Sequence, residues 1–188
     1  MKTKQRQIKF LERKEVERLI SAIGQKAAHD LRDRALLEVL FSTGMRISES
    51  LALSADEMMP LLNEAGTSEF PIIGKGGFQR VIYFSPRAKD ALRAWVLVRQ
   101  EHAGDSLFDI TPRWAQKMIQ KRADDAGLDK KVTPHMLRHS LATDLLRKGV
   151  DIAFVSKFLG HRSIANTMIY AHIVSPQLKS IHEKLYGR

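Results

Sequence analysis

The stretch PHMLRHSLATDLLRKGVD, residues 134–151, carries the pattern that decides the fold. Thr133-Pro134 is a helix cap and first-turn pair, and a glycine stands where the periodic pattern stops, so a helix is predicted between them. Its buried face is predicted from leucines at helical spacing: Leu137, Leu141 and Leu145. His135 and Arg138 are three residues apart and project from one face of this helix. The pattern therefore predicts that His135 and Arg138 form a polar pair on a helix that is anchored by its buried leucine face.

The flanking sequence predicts a mainly helical protein. Two β-rich runs, FPIIG and QRVIYF, are separated by residues 75–78 and predict a β-hairpin with Lys75 at its turn. Residues 54–70 are poorly patterned, and no clear alternating strand is evident there from the sequence. Apolar periodicity and capping signals predict helices over residues 10–23, 29–41, 45–53, 86–100, 111–126 and 151–159, with another capped by Ser163. The expected fold class is α+β, mainly α: a helical bundle with a small antiparallel sheet that carries the hairpin.

Composition narrows the classes of function. The 188 residues suit one compact domain, and 31 Lys and Arg against 21 Asp and Glu give a net charge of +10, which attracts a polyanion such as nucleic acid. Anionic membranes attract such charge as well, so charge alone does not decide between them. The sequence has no cysteine, which excludes disulfides, thiolate metal sites and a cysteine nucleophile. No apolar run approaches the roughly 18 residues that span a bilayer, and we expect a soluble, cytoplasmic protein.

Further motifs follow the opening helix at defined spacing. VSKFLGH places His161 23 residues after Arg138, and MIYAH places Tyr170 nine residues after His161. This ordered set resembles the tyrosine recombinase (phage integrase) family. Upstream, STGMRISESLAL resembles the first arginine motif of that family and GKGGFQRVIYF its lysine-bearing hairpin, which implies catalytic roles for Arg46 and Lys75. The resemblance covers roughly residues 10–172 and implies the catalytic-domain fold of the family.

The chemistry implied by the resemblance agrees with the residue types. Cleaving a phosphodiester without a metal requires positive donors around the nonbridging oxygens, and Arg46 and Arg138 supply them through planar, always-charged forks. Tyr170 would attack phosphorus and form a phosphotyrosyl link, so that a DNA hydroxyl can later displace it without ATP. Because a phenol has a reference pKa near 10, it needs a base, for which His135 is the better candidate. No cofactor is expected.

Other residues are expected to support this pocket. The resemblance implies that Lys75 protonates the departing 5′ oxygen and that His161 hydrogen-bonds a nonbridging oxygen. Glu49, three residues after Arg46, is expected to orient that guanidinium through an ion pair, although a solvated helix residue fits the pattern nearly as well. His139 and His172 neighbour the motif residues. Outside the pocket, a group of cations is expected to neutralise DNA phosphates: Arg80, Lys117, Lys121, Arg122, Lys157 and Arg162.

Three other interpretations of these residues are considered besides a recombinase. His135 and His139 are four apart and suit zinc, but Met136 replaces the glutamate of an HExxH motif. A type IB topoisomerase or telomere-resolving relative would use the same tyrosine chemistry. A basic helical module could bind DNA without catalysis, although the full set of catalytic residue types argues against it.

The organisation expected is a catalytic domain over residues 1–174 and a C-terminal tail helix over 175–188. The apolar residues of the tail, Leu178, Ile181 and Leu185, fall on one helical face, which suits packing in cis or docking on a neighbouring protomer. Full-length members of the family carry a separate helical domain before the catalytic one. Here the first helix begins near residue 10, so no separate N-terminal domain is expected in this sequence, either because the protein has been truncated or because it is naturally minimal. The expected partner is double-stranded DNA, with a homotetramer on synapsed sites, a monomer or weak oligomer when free, and no membrane.

Overall fold

The computed structural model describes residues 9–74, 77, 79–99, 105–161, 163, 165–170, 183, 186 and 187. In this part of the chain helices surround one small sheet, which confirms the mainly helical α+β expectation. In chain order the elements are α1 (Arg13–Ser21), α2 (Ala28–Thr43), α3 (Ile47–Ser50), α4 (Ala55–Asn63), β1 (Ser68–Ile73), β2 (Gln79–Phe84), α5 (Pro86–Val96), α6 (Pro112–Asp125), α7 (Pro134–Arg147), α8 (Ile152–Leu159) and α9 (Ala165–Met168).

Helix α2 is the centre of the larger hydrophobic core. Leu36, Leu37 and Val39 point in different directions around it and each is 0% exposed, so the helix is enclosed rather than amphipathic. It contacts α1, α5, α6, α7 and β2. Since α3 and β2 also adjoin α2, the segments that carry Arg46, Arg80 and Arg138 pack on one buried helix.

The two strands form the predicted hairpin. They pair antiparallel from Ser68 opposite Phe84 to Ile73 opposite Gln79, so the connection between the strands is the segment that contains Lys75. Lys75 itself lies outside the described residues. The hairpin packs on α2 and α8, and this contact sets the position of β2 beside the motif residues.

The segment 54–70, which is poorly patterned in the sequence, contains helix α4 and the start of β1. Ser54 accepts a hydrogen bond from the backbone N–H of Glu57 and caps α4, and Met58, Leu61 and Leu62 are buried. These three residues have helical spacing, but Pro60 interrupts the pattern. The proline removes one backbone donor on the exposed side of the helix, where water can satisfy the freed carbonyl.

Several helix bounds also differ from the expected ones. The first helix begins at Arg13 rather than near residue 10, because the backbone N–H of Leu11 donates to Ser140 Oγ at 2.8 Å and holds the chain against α7 before the helix starts. Helix α3 is only four residues long. Most of the expected tail helix, 175–188, lies outside the described residues.

A second, smaller hydrophobic cluster lies between α7 and α8. Its buried members are Ala142, Leu146, Val155, Leu159 and Tyr170. Tyr170 is 1% exposed, so the aromatic ring of the expected nucleophile is part of a hydrophobic core. Among the described residues, no helix combines the length and apolar character needed to cross a membrane.

Candidate active site

The end of α2 places Arg46 in the pocket. Gly44 has φ +62° at the C-cap of the helix, and a Cβ there would lie 2.8 Å from Leu159 Cδ2 and 3.0 Å from Leu141 Cδ2. Only glycine suits this left-handed turn against two leucines. The turn lets the chain restart at α3, with Arg46 as its N-cap residue.

A single carboxylate, that of Glu49, binds two arginines. Arg46 donates from Nη1 to Oε1 at 2.8 Å and from its backbone N–H to Oε2 at 2.8 Å. Arg80 donates from Nη1 to Oε1 at 3.2 Å and from Nη2 to Oε2 at 2.7 Å. Burial would raise the pKa of Glu49, but hydrogen bonds from Arg80 and Arg46 outweigh it and lower that pKa to about 2. The expected ion pair between Glu49 and Arg46 is therefore present, and Arg80 completes it.

Arg138 joins two helix ends at the floor of the pocket. It is 4% exposed, and its guanidinium donates from Nη1 to the Gly44 carbonyl and from Nη2 to the Leu159 carbonyl. These carbonyls belong to the C-terminal ends of α2 and α8, where a cation is favoured. Burial, followed by the charges of Arg46 and Arg80, lowers the pKa of Arg138 to about 10, so it stays protonated at neutral pH.

Tyr170 contacts His139 rather than His135. The phenolic hydroxyl and His139 Nδ1 are within hydrogen-bonding contact, and the two ring centroids lie 5.5 Å apart. His135 packs edge-on against His139 with centroids 4.1 Å apart, but no contact between His135 and the hydroxyl is present among the described residues. Burial raises the pKa of Tyr170 above its usual range, with the Arg138 charge opposing. In this conformation Tyr170 is a protonated phenol beside a neutral imidazole.

His161 occupies the turn after α8. Gly160 ends that helix with φ +66°, and the next backbone N–H, that of His161, donates to the Ser156 carbonyl at 3.0 Å. His161 Nδ1 lies 2.7 Å from Thr167 Oγ1, which orients the ring from the side of α9. Arg46 Nη2 donates to the Gly160 carbonyl at 3.4 Å, so Arg46 is in contact with this turn.

The charges of these residues act on one another across the pocket. Burial, Arg138 and Arg46, in that order, lower the pKa of both His135 and His161, and that of His161 falls to about 4. Burial and the charge of His135 lower the pKa of His139 to about 4. Arg46, His135, Arg138, His161 and Tyr170, drawn from segments up to 124 residues apart, thus converge in space.

Two of the cations expected on the DNA-binding surface are largely buried against acidic side chains. Arg80 lies inside the pocket on Glu49, with a side chain only 8% exposed. Arg122 is 14% exposed and binds Asp30 at 2.5 Å and Asp33 at 2.7 Å, so its charge is already neutralised. Lys117, Lys121 and Lys157 are exposed, whereas Arg162 lies outside the described residues. Sequence spacing could not reveal either ion pair, because the acidic partners are 31 to 92 residues away.

The contact between His139 and Tyr170 was not predicted from the sequence. His139 follows Arg138 directly, and the sequence suggested for it only a zinc site with His135. In the part of the chain that the structure describes, no group of three or more histidine, cysteine or acidic residues is arranged to hold a metal ion. The spacing could have indicated this contact. His135 and His139 are four residues apart, so both lie on the face of α7 that is turned towards Tyr170.

An open groove of about 880 Å³ adjoins the pocket. At one end it is lined by Arg46, Arg80 and His161. Further along, its walls are apolar side chains of β2, α7 and α8, including Val81, Tyr83, Leu145, Phe154 and Phe158. The polar end is thus open to an anionic ligand approaching from solvent.

Lowering the pH from 7 to 5 is expected to reduce the free energy of unfolding by about 1 kcal/mol for each of His139 and His161, because solvent screens these partly exposed rings. Both imidazoles have a native pKa of about 4, whereas a free histidine titrates near 6.5. The unfolded chain therefore binds more protons in this window, and stability falls as the pH falls through 6.5 towards 4. Urea unfolding at the two pH values measures the change. In His139→Gln the pH-dependent loss should shrink by about 1 kcal/mol, and an unchanged loss would contradict the lowered pKa of His139.

Comparison with known proteins gives a consistent family assignment. The model of the phage integrase family matches residues 9–175. Tyrosine recombinase XerD of Corynebacterium glutamicum is 39% identical over 174 residues, which is 85% of this chain but 54% of that protein. The chain thus spans about half the length of this curated relative.

Solved structures show the same architecture. The XerH site-specific recombinase bound to its palindromic difH substrate, in a post-cleavage complex, superposes with a TM-score of 0.76 at 27% identity. That match covers 94% of this chain and 53% of XerH. The catalytic domain of bacteriophage HP1 integrase has a TM-score of 0.61 at 22% identity over 96% of this chain and 95% of its own, which shows a shared fold. The expected catalytic-domain fold is confirmed.

Proposed function

Because this chain belongs to the phage integrase family, we propose that it is the catalytic part of a site-specific DNA recombinase. It cuts and rejoins DNA strands through a 3′-phosphotyrosyl intermediate, without metal or ATP. The observation that carries the proposal is that Tyr170 lies in contact with His139 and within electrostatic reach of Arg138, next to a groove lined by Arg46 and His161. Such a set supplies a nucleophile, positive donors and proton carriers in one place.

The chemistry proceeds by exchange of one phosphoester for another. Tyr170 Oη forms a bond to phosphorus while the bond from phosphorus to the 5′ oxygen of DNA breaks. The phenolic proton passes to an imidazole, and His139 is the one in contact with the hydroxyl in this conformation. A proton is added to the departing 5′ oxygen, a role we propose for Lys75. In rejoining, a 5′ hydroxyl attacks phosphorus, the bond to Tyr170 breaks and the two protons return.

The arginines stabilise the negative charge on the nonbridging oxygens of the phosphate in the transition state. Arg46 keeps its partly exposed guanidinium on Glu49, at the polar end of the groove, where further donors can face an incoming phosphate. Arg138 provides a second positive charge that is fixed by two backbone carbonyls before substrate arrives. Preorganised donors of this kind need little reorganisation during reaction, which makes them effective. His161 is proposed to add a hydrogen bond to a nonbridging oxygen.

Double-stranded DNA is the proposed partner. The net charge of +10 supports it, as does the XerH structure, whose complex contains a difH substrate. A homotetramer on two synapsed sites is the proposed active assembly, since exchange between two duplexes requires four cleavages. A cytoplasmic location is likewise part of the proposal.

Covalent capture tests the proposed function and finds the target. The protein is incubated with fragmented host DNA and denatured, and the DNA linked to it is sequenced. Two copies of the recovered sequence are then placed on a supercoiled plasmid. We expect exchange between the copies, detected as deletion or inversion of the intervening DNA. Relaxation of any plasmid without exchange would indicate a topoisomerase instead, and DNA binding without a covalent adduct would indicate a noncatalytic module.

A further inference from the structure

Arg80 lies in the pocket although it is absent from the set of residues to which the sequence assigned catalysis. We propose that Arg80 is a positioning residue for the DNA phosphate, an inference that rests on the proposed function. Through Glu49 it orients Arg46, and through the turn at Gly160 it orients His161. It acts on the reaction through these residues rather than by contacting the phosphate itself.

The first support is the way two cations share Glu49. Arg80 grips both carboxylate oxygens, at 3.2 and 2.7 Å, whereas the Arg46 guanidinium reaches one of them at 2.8 Å. The Arg80 side chain is 8% exposed and that of Arg46 is 35% exposed. A two-pronged contact fixes the plane of a carboxylate better than a single bond does. Arg80 therefore holds the acceptor on which the exposed arginine is oriented.

The second support is the close approach of the Gly160 turn. A Cβ on Gly160 would lie 2.8 Å from Arg80 Cδ, 3.0 Å from Nη1 and 3.1 Å from Nε. A side chain at this position would therefore have to displace Arg80, which shows how closely the Gly160 turn approaches the guanidinium. Since His161 is the next residue and the Gly160 carbonyl accepts from Arg46, displacement of Arg80 would move both at once.

The third support is that Arg80 brings β2 into this arrangement. It pairs with Ile72 in the hairpin and is buried at the point where the sheet meets the pocket. Its Nε is buried and lacks a hydrogen-bond partner among the described residues. Within that part of the chain, the hydrogen bonds of the guanidinium therefore go only to Glu49. Its charge also contributes to the lowered pKa of Arg138 and of His161, which places it within electrostatic reach of both.

Arg80→Met tests the proposal because methionine keeps an unbranched, apolar side chain but lacks the guanidinium that binds both oxygens of Glu49. We expect covalent cleavage at saturating DNA to slow by about 10- to 100-fold, while affinity for DNA changes less than about threefold. Arg80→Lys keeps the charge but binds one oxygen, and should give an intermediate rate. The rates are measured on a nicked duplex carrying the captured site, and the affinity by gel shift with Tyr170→Phe in the background.

Arg122→Met is the matched control, since Arg122 is also a largely buried arginine on two carboxylate oxygens but belongs to a different cluster. It should lower thermal stability and leave cleavage within about threefold of wild type. A neutral methylphosphonate at the cleaved position provides a second readout, because a phosphate without its charge depends less on placed arginines. On that substrate the Arg80→Met penalty should shrink to below about threefold.

Three results would overturn the proposal. Loss of DNA affinity as large as the loss of cleavage would make Arg80 a DNA contact. Equal cleavage losses in Arg80→Met and Arg122→Met would reduce its role to general stability. Full rescue of Arg80→Met by a 5′-bridging sulfur, a leaving group that needs no proton, would mean that Arg80 acts on leaving-group protonation instead. If wild-type protein forms no adduct at all, the proposed function fails rather than the role of Arg80.

Discussion

Tyr170→Phe is expected to abolish the covalent protein–DNA adduct and to reduce strand exchange by at least about ten-thousandfold, because the attacking oxygen is removed. The aromatic ring stays, and with it the packing of a side chain that is 1% exposed in the cluster between α7 and α8. The lost contact with His139 should cost about 1 kcal/mol of unfolding free energy. Denaturing electrophoresis after incubation with a nicked substrate measures the adduct directly.

His139→Gln serves as the comparison for this variant. Glutamine can accept a hydrogen bond from the phenol but does not take its proton, so cleavage should slow while the adduct still forms. Gel-shift affinity should be unchanged in Tyr170→Phe, since the hydroxyl is buried in the conformation described here. An adduct that survives Tyr170→Phe would require another nucleophile and would remove the central element of the mechanism.

The burial of Tyr170 has a consequence for the reaction. A phosphate cannot reach the hydroxyl of a side chain that is 1% exposed and that contacts His139. Attack therefore requires displacement of the tyrosine from the small cluster or rearrangement of the residues around it. The raised pKa of Tyr170 agrees with this, since the buried phenol is a poor nucleophile until it approaches the positive charge of the pocket.

Most helices were predictable because their signals are local. The Thr133-Pro134 cap and the leucine spacing of α7, for example, depend on residues within one or two turns. Helix α4 was missed because Pro60 obscures a pattern that tertiary packing nevertheless stabilises. The neighbouring hairpin was predicted correctly, since β-rich runs around a glycine pair are equally local.

The candidate site could be predicted in part, because the order and spacing of the motifs indicate which residues belong to it. Arg46, Arg138, His161 and Tyr170 lie near one another, and their catalytic roles stay predictions. The sequence could not show that Arg80 shares Glu49 or that His139 meets the tyrosine, because both contacts join elements far apart in the chain. His135 remains a predicted proton carrier, although the described contacts favour His139 at the hydroxyl. The role of Lys75 remains a proposal drawn from the family.

Arg138→Lys is expected to slow cleavage at saturating DNA by about a thousandfold and to lower the free energy of unfolding by about 1–3 kcal/mol. The guanidinium reaches the Gly44 and Leu159 carbonyls at the same time, one at the end of each of two helices. A lysine ammonium is a point charge and can satisfy only one of them in this geometry, which leaves a buried acceptor unpaired. Urea unfolding and single-turnover cleavage measure the two effects on one preparation.

Arg147→Lys is the matched control for Arg138→Lys, because it lies on the same helix with a side chain 48% exposed, and lysine can keep its ion pair with Glu12. Stability should stay within about 0.5 kcal/mol of wild type and cleavage should be unaffected. The two Arg138 effects should also separate with temperature. Well below the melting temperature almost all of the variant is folded, so a cleavage defect that persists there reflects the missing fork at the phosphate. A defect that disappears on cooling would mean that Arg138 serves only to join α2 and α8, and that Arg46 carries the phosphate charge without it.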